Sequence, residues 1–322
     1  MVIYIKLIGI TAYNLSMSKD RFIKRFPLFK GSSLEVGRPT IDYFINRIKN
    51  KDYFSLVRFQ IEYWKMVRIA LQSMGYPGLS APKILKKDSQ FAEKLGSAML
   101  RTFDNVQEVN GDRPWEFSER VFADHIKMII SNKPNNFFLS VSDKSVYLKD
   151  NTPDVGNKWM ADLIKELIPD SEVPLLSTIW RRWAQNGEIQ RLMDLCKDRA
   201  VVVVGPYYYE KFGKKLGFNN CHYVRIDLFK ACLQVHETYI NIKKLHNKLL
   251  KTNDDVIYLF AGGSAGAWLI DKLHNQIPRA FMIEFGRALD VYFYNDPVRW
   301  KSEKWVFGYW MDKRPPTWLK GR

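Results

Sequence analysis

The sequence predicts an α/β fold with a doubly wound, mostly parallel sheet and helical additions in its N-terminal part. Three observations support this prediction. From residue 199 to 285, short apolar runs alternate with amphipathic helical patterns, which is typical of parallel strands joined by right-handed crossovers. Two of these runs end in glycine turns, at 205–206 and 261–266. The chain of 322 residues is 46% hydrophobic, which is enough to bury a core.

The stretch 254–290 contains the clearest unit, a strand, a glycine turn, a helix and a second strand. Val256–Phe260 is short and apolar, as expected of a strand buried on both faces. In open α/β sheets, ligands bind at the carboxyl ends of strands, where helix N-termini present free N–H groups to anions. Glycine turns also allow close packing of helix on strand, and both interpretations stay open here.

Further elements follow from periodicity and from breaks at glycine and proline. Other strands are predicted at 53–59, 137–141, 200–204 and 222–226, and helices at 41–48, 60–75, 89–103, 113–130, 180–195, 207–216 and 229–250. The first 15 residues are predicted to be an edge strand, and 19–30 either a basic arm or a solvated loop. Residues 143–157 form a polar loop, the best candidate for a boundary between lobes. No repeat divides the chain, so 1–322 is predicted to be a single domain.

The charge of the chain is strongly basic. Fifty Lys and Arg against 34 Asp and Glu give a net charge of +16. Such an excess favours a polyanionic partner, namely nucleic acid, an anionic membrane surface or phosphorylated small molecules, although a soluble protein that is basic on average is the alternative.

The last 23 residues, 300–322, are predicted to form a basic, Trp-rich arm with four tryptophans and six basic residues. Such an arm suits a nucleic-acid strand through stacking and phosphate contacts, or it packs its aromatic side chains back on the domain. The residues assigned to the acceptor or nucleic acid are Arg287, Trp300, Lys304, Trp305, Trp310, Lys313 and Arg314.

Other classes of site are not indicated by the sequence. The three cysteines have no CxxC spacing and are predicted to be reduced and packed inside, in a cytoplasmic protein. No apolar run is long enough to span a bilayer. No zinc-type His and Cys spacing occurs. Ser264 is interpreted as a helix N-cap rather than as a nucleophile.

Four stretches carry a family resemblance: SLVRFQIEYW at 55–64, VVVVGPYYYEKFG at 201–213, YLFAGGSAGAWL at 258–269 and FGRALD at 285–290. In their order and spacing they resemble the GT-D type of glycosyltransferase and its uncharacterised phage and bacterial relatives. The resemblance implies a Rossmann-like sheet and a nucleotide sugar as co-substrate. The family's early strand ends in Arg-Phe-Gly-Asp-Gly-Glu, in which an Asp-x-Glu pair helps to bind a divalent metal and the sugar nucleotide.

This sequence departs from that pattern at the early turn. It is one residue shorter, and Gln60 replaces the first acid, so that Glu62 alone is retained as metal ligand. One carboxylate is a poor site for Mg²⁺ or Mn²⁺ unless diphosphate oxygens and waters complete the shell. A weak metal site or none is therefore implied, with Arg58 offsetting the charge of the leaving group.

The resemblance implies a transferase that uses a UDP-type donor. It assigns catalysis to Glu62. Asp290 and Glu284 flank the end of the last strand, and Asp290, past the strand end, is the better candidate for the general base on an acceptor hydroxyl. Glu284 is interpreted as a strand-end charge. The residues assigned to the donor are Arg58, Gln60, Gly205, Pro206, Gly262, Gly263 and Ser264.

The basic charge directs the acceptor hypothesis towards DNA, with a hydroxymethylated pyrimidine of phage DNA as the hydroxyl and the host cytoplasm as the location. Two alternatives stay open. The enzyme would act on a cell-envelope glycan or lipid-linked acceptor, with its basic face on an anionic membrane. Alternatively, because of Gln60, the chain is a catalytically inactive nucleic-acid-binding module.

Overall fold

A computed structural model describes residues 23–27, 33–59, 61–76, 90–110, 119–141, 162–169, 172–176, 179–227 and 231–293. The strands in these residues are β1 (Ile23–Pro27), β2 (Ser33–Gly37), β3 (Ser55–Phe59), β4 (Phe137–Val141), β5 (Leu175–Leu176), β6 (Ala200–Gly205), β7 (Asn220–Arg225), β8 (Val256–Phe260) and β9 (Ala280–Glu284). They form one nine-stranded sheet in the order β1-β2-β5-β4-β3-β9-β8-β6-β7.

The sheet is parallel from β2 to β7, and β1 pairs antiparallel with β2 at one edge. The predicted α/β fold with a mostly parallel sheet is confirmed. Residues 23–27 correct one expectation, because they form a strand where an arm or loop was predicted. The β2 strand was not predicted.

The α-helices in the described residues are α1 (Ile41–Lys49), α2 (Ile61–Ser73), α3 (Phe91–Asn110), α4 (Glu119–Ile130), α5 (162–167), α6 (Ile179–Asn186), α7 (Ile189–Cys196), α8 (Phe212–Leu216), α9 (Val235–Leu249) and α10 (Gly263–His274). Two predicted helices are each divided. The helix predicted at 207–216 is a 3-10 turn, Tyr207–Tyr209, followed by α8. The helix predicted at 180–195 breaks at Gly187, whose φ is +79°. Another 3-10 helix, Gly286–Phe293, follows β9.

Helices cover both faces of the sheet, and each face has its own apolar core. One core contains Trp64 of α2 and Trp268 of α10, together with residues of α3, α4 and α9. The other contains Phe44 of α1 and Trp180 of α6, together with residues of α7, α8 and the Gly286–Phe293 helix. The alternation of side chains along each strand feeds both cores, as a doubly wound sheet requires.

A topological switch lies between β6 and β8. The chain leaves β6 through α8 to reach β7 on one side, and leaves β8 through α10 to reach β9 on the other side. Because α8 and α10 pack on opposite faces of the sheet, the chain leaves β6 and β8 in opposite directions, and such a switch point produces a crevice at the carboxyl ends of the two strands. In open α/β sheets, ligands bind at such a point.

Ion pairs lie at the opposite edge of the sheet, where the amino ends of the strands meet. Arg199 Nη1 donates to both carboxylate oxygens of Asp255, at 3.0 and 2.9 Å, and Asp255 is only 5% exposed. Next to it, Lys51 forms an exposed pair with Asp254. Asp254 and Asp255 thus lie at a strand's amino end, as predicted, and take no part in the crevice.

Several predictions fall on residues that the structure does not describe. These are the edge strand at 1–15, the loop at 143–157 and the arm at 300–322. The three cysteines are free thiols, of which Cys196 and Cys232 are buried and Cys221 is half-buried. Within the described ranges, no helix has the length and apolar character that a membrane span requires.

Candidate active site

Arg58 is the cation at the centre of the site. It is the penultimate residue of β3, between β4 and β9, and only 7% of it is exposed. Its guanidinium passes over Gly286, just beyond the end of β9, where an added Cβ would lie 1.9 Å from Nη2. Gly286 also has a φ of +53°, which L-residues with a side chain rarely adopt. The close approach and the backbone conformation both require glycine there.

Glu284, the last residue of β9, is a fully buried carboxyl group at the same edge. Its Oε1 accepts a hydrogen bond of 3.0 Å from the N–H of Gly286. Burial raises the pKa of Glu284 to about 8, and the charge of Arg58 and the N–H groups of Gly286, Gly262 and Gly263 oppose this rise. Sequence analysis placed this residue at a strand end but missed its burial among these donors.

The glycine turn before α10 lies against this carboxyl group. A Cβ added to Gly266 would lie 2.1 Å from Glu284 Oε2, and one added to Gly262 would lie 2.8 Å from Ile226 Cδ1. Gly262 is the N-cap, so Ser264 is already within the first turn of the helix. The N-cap role predicted for Ser264 is therefore wrong. The absence of side chains lets the helix approach the ends of β8 and β9 closely.

The end of β6 forms the other wall of the crevice. A Cβ on Gly205 would lie 3.2 Å from Tyr209 Cδ2 and 3.3 Å from the Cβ of Ala261. The hydroxyl of Tyr223 donates a hydrogen bond of 3.0 Å to the carbonyl oxygen of Gly205. Pro206 is buried and begins the following 3-10 turn. Gly205 and Pro206 thus lie across the crevice from the turn before α10.

Tyr207 is an exposed aromatic residue that sequence analysis did not single out. It directly follows Pro206 and is 44% exposed, whereas Tyr208 and Tyr209 are buried. Its ring meets that of Tyr208 edge to face, with centroids 5.8 Å apart and an interplanar angle of 85°. An aromatic residue directly after a Gly-Pro strand end is a signal that could have identified it. Its ring is available for stacking on a planar ligand.

Asp290 lies beside the crevice, in the Gly286–Phe293 helix. It is 1% exposed and accepts a hydrogen bond of 2.5 Å from the hydroxyl of Tyr209, a residue that packs against Gly205. A donated hydrogen bond stabilises the ionised form of a carboxyl group. The structure therefore places Asp290 near the end of β6 but beneath the surface.

The structure brings together only part of the predicted site. Arg58, Gly205, Pro206, Gly262, Gly263, Ser264 and Asp290 lie at the carboxyl edge of the sheet. Gln60 is outside the described residues, as are the side chains of Glu62 and Arg287 and all of the arm residues from Trp300 to Arg314. Among the side chains that are described, no three His, Cys, Asp or Glu lie close enough to hold a metal ion. The described residues alone thus do not form a metal centre.

Substitution of Gly286 by alanine is expected to lower the free energy of unfolding by about 2–4 kcal/mol, because it adds backbone strain and displaces the Arg58 guanidinium. Chemical denaturation measures this loss. The matched control is Gly217→Ala, since Gly217 has a φ of +70° but no atom within 4 Å of an added Cβ. In this control, the free energy of unfolding should fall only by the cost of backbone strain, about 1–2 kcal/mol. Equal losses in the two variants would contradict the packing of Arg58 on Gly286.

His125 of α4 contacts the first turn of α10. It is fully buried, and its Nε2 donates a hydrogen bond of 2.9 Å to the carbonyl oxygen of Ser264. Burial lowers the pKa of His125 from 6.5 to about 4, so the imidazole is neutral at physiological pH. The turn is therefore held by an uncharged donor.

Lowering the pH should reduce the contribution of His125 to the free energy of unfolding. Because the folded-state pKa of His125 lies below its unfolded value, its contribution is complete above pH 6.5 and is lost as the pH falls towards 4. The free energy of unfolding should fall by at most about 1.4 kcal/mol per pH unit in this window, relative to a His125→Gln variant. Denaturation of both proteins between pH 4 and 7 measures the difference. A constant difference would show that His125 does not titrate in this window.

These features define an open α/β sheet with a cationic, glycine-lined crevice at the carboxyl ends of its strands. Among solved structures, the chain is similar to one described as domain of unknown function 1792 with a distinct glycosyltransferase fold, at 13% identity, 77% coverage of each chain and a TM-score of 0.45. It is also similar to a new glycosyltransferase of this domain from Streptococcus sanguinis, at 14% identity, 80% coverage of this chain, 83% of that chain and a TM-score of 0.49. No protein-family model matches the sequence, and no curated protein matches it.

Proposed function

We propose that the chain is a nucleotide-sugar-dependent glycosyltransferase. The observation that supports this most directly is the buried guanidinium of Arg58 beside a glycine-lined crevice at the carboxyl edge of a parallel sheet. Glycosyl transfer from a nucleotide sugar develops negative charge on the departing diphosphate. A fixed cation in a site from which water is excluded offsets this charge far more strongly than a cation in water.

The donor in this proposal is of the UDP type, with its diphosphate beside Arg58. Gly205, Gly262 and Gly263 are the backbone positions proposed to contact the diphosphate and the ribose. The exposed ring of Tyr207 supplies a stacking surface for the base or the sugar. Gln60 and Ser264 complete the proposed donor contacts.

In the transfer step, the oxygen of an acceptor hydroxyl forms a bond to the anomeric carbon of the sugar. The bond from that carbon to the diphosphate oxygen breaks, and the nucleoside diphosphate leaves with the electron pair. The hydroxyl proton passes to Asp290, which acts as general base. Because Asp290 is 1% exposed, the Gly286–Phe293 helix must shift for an acceptor to reach it.

The family resemblance assigns a divalent metal, Mg²⁺ or Mn²⁺, to Glu62, whose side chain is outside the described part of the chain. The buried Glu284 is a described carboxyl group on which the charge of Arg58 acts, and its Oε1 accepts a hydrogen bond from the Gly286 N–H. No step of the proposed reaction depends on a metal, and Arg58 supplies the positive charge at the diphosphate.

The acceptor in this proposal is DNA, with a hydroxymethylated pyrimidine as the reacting group. The net charge of +16 supports a polyanionic acceptor. The hydroxyl of such a base lies in the major groove, so that flipping of the base is not required. Arg287 and the basic and Trp residues of 300–322 would contact the DNA backbone and bases.

The test is to incubate the protein with a panel of sugar nucleotides and with plain or hydroxymethylated duplex DNA, followed by mass spectrometry of the digested nucleosides. A sugar adduct on the hydroxymethylated base alone is expected. Transfer to a cell-envelope glycan or lipid-linked acceptor instead of DNA would overturn the DNA acceptor and keep the enzyme class. Salt-dependent DNA binding without transfer from any donor would overturn the enzyme class and favour an inactive nucleic-acid-binding module.

A further inference from the structure

The buried carboxyl group of Glu284 lies between two segments of the chain. One segment is the turn before α10, where Gly262 and Gly263 direct N–H groups towards the carboxyl group and Gly266 lies against Oε2. The other segment is the end of β9 and its continuation, where the Gly286 N–H donates to Oε1 at 3.0 Å. One carboxyl group thus contacts two segments that are distant in sequence.

The charged groups around Glu284 come from few elements. The guanidinium of Arg58, on β3, acts on it through charge and lies over Gly286. On the far side of the α10 turn, His125 of α4 donates to the Ser264 carbonyl and is neutral. The N–H groups at the N-terminus of a helix attract an anion, and here a side chain of the protein occupies that position.

In this arrangement, Glu284 holds both the α10 turn and the guanidinium of Arg58 in place, which a bound diphosphate would otherwise do. The buried carboxyl group already lies against the turn, so the turn keeps its shape before any ligand arrives. When the same carboxyl group is ionised, its negative charge attracts Arg58 towards the end of β9. A cation held in place in advance contributes more to a reaction than one that must be ordered during the reaction.

We propose that Glu284 is a positioning residue, whose carboxyl group fixes the α10 turn and the guanidinium of Arg58 in the geometry that receives the donor diphosphate. The catalytic consequence of this inference rests on the proposed function. The coupling between Glu284 and Arg58 does not, because it exists in the protein without any ligand. Glu284 itself touches no reacting atom.

The Glu284→Gln variant tests the proposal, since the amide keeps the shape and the acceptor for the Gly286 N–H but cannot ionise. At a pH above 8, where Glu284 carries its negative charge, we expect kcat/KM for the sugar nucleotide to fall about tenfold, as for the loss of one charge interaction of about 1.4 kcal/mol. In the natural protein, kcat/KM should rise through a pH of about 8 as Glu284 ionises, and the variant should lack this step. A purely structural role for Glu284 would not produce a change in the pH profile.

The matched control is Asp255→Asn, which removes a buried charge that is paired with Arg199 at the opposite edge of the sheet. It should lower the melting temperature while leaving kcat/KM and its pH profile unchanged. If Glu284→Gln behaves in the same way as this control, the positioning role is overturned.

A ligand-free measurement separates failure of this inference from failure of the proposed function. In a double-mutant cycle, the melting-temperature losses of Glu284→Gln and Arg58→Gln should not add, because each substitution removes the same interaction. Additive losses would overturn the inference even if transfer occurs. Non-additive losses together with an inactive natural protein would uphold the coupling and overturn the proposed function.

Discussion

Substitution of Arg58 by alanine should reduce kcat/KM for glycosyl transfer by about 10²–10³, the loss typical for one fixed charge-stabilising group in an active site. The guanidinium is the cation buried beside Glu284 and Gly286, at the end of the central strand β3. Its removal leaves the departing diphosphate without that charge. Steady-state kinetics with the best donor from the sugar-nucleotide panel measure the loss.

The control for Arg58→Ala is Arg199→Ala, which removes a different partly buried arginine. Arg199 pairs with Asp255 at the amino edge of the sheet, away from the crevice. Its loss should destabilise the protein while transfer by the folded molecules stays unchanged. A kcat/KM for Arg58→Ala within about threefold of the natural value would remove Arg58 from the mechanism, since that factor is below 1 kcal/mol.

The Asp290→Asn variant should lose about 10²–10⁴ in kcat, the usual contribution of a general base. The amide has the same shape as the carboxyl group, and its oxygen can still accept the hydrogen bond from the Tyr209 hydroxyl. Its fold and its affinity for the donor should therefore persist while proton removal fails. Comparison of kcat with the donor KM in the two proteins measures this.

Tyr209→Phe is the companion variant for Asp290. It removes the hydrogen-bond donor but leaves the carboxylate, so the rate should fall less than in Asp290→Asn. If Asp290→Asn keeps its full rate but loses stability, Asp290 is a structural partner of Tyr209. The base on the acceptor must then be sought among residues whose side chains the structure does not describe, with Glu62 as the first candidate.

The fold could be predicted mainly where strands are buried on both faces. The β4 strand, Phe137–Val141, and the β8 strand, Val256–Phe260, were predicted with the observed bounds, and β6 within one residue, because apolar runs between turns indicate such strands strongly. The hairpin of β1 and β2 was missed. Ile23–Pro27 carries two basic residues in five, and a short edge hairpin of that kind has no clear apolar period.

The sequence predicts where the site lies in the fold, but not which side chains meet there. Parallel strands bring their carboxyl ends to one edge, so the sequence alone positions Arg58 and the glycine turns there. The burial of Glu284 depends on donors from Gly262, Gly263 and Gly286 and on the charge of Arg58. Sequence gives no signal for such contacts, since an acid at the end of a strand is usually solvated. Tyr207 could have been identified from its position directly after the Gly-Pro strand end, but the run of three tyrosines does not show that only the first is exposed.

The order of strands in the sheet has a consequence for how the protein is made. The β8 and β9 strands come last in the described chain, yet they lie in the middle of the sheet, between β3 and β6. Strands β1 to β5 and strands β6 and β7 therefore have no direct pairing with each other. During synthesis the two parts emerge from the ribosome as separate sheets with unpaired inner edges, which are prone to wrong association. The two parts of the sheet can be joined only after residues 256–284 have been synthesised. Arg58, which is synthesised early, then comes close to Glu284, which is synthesised late.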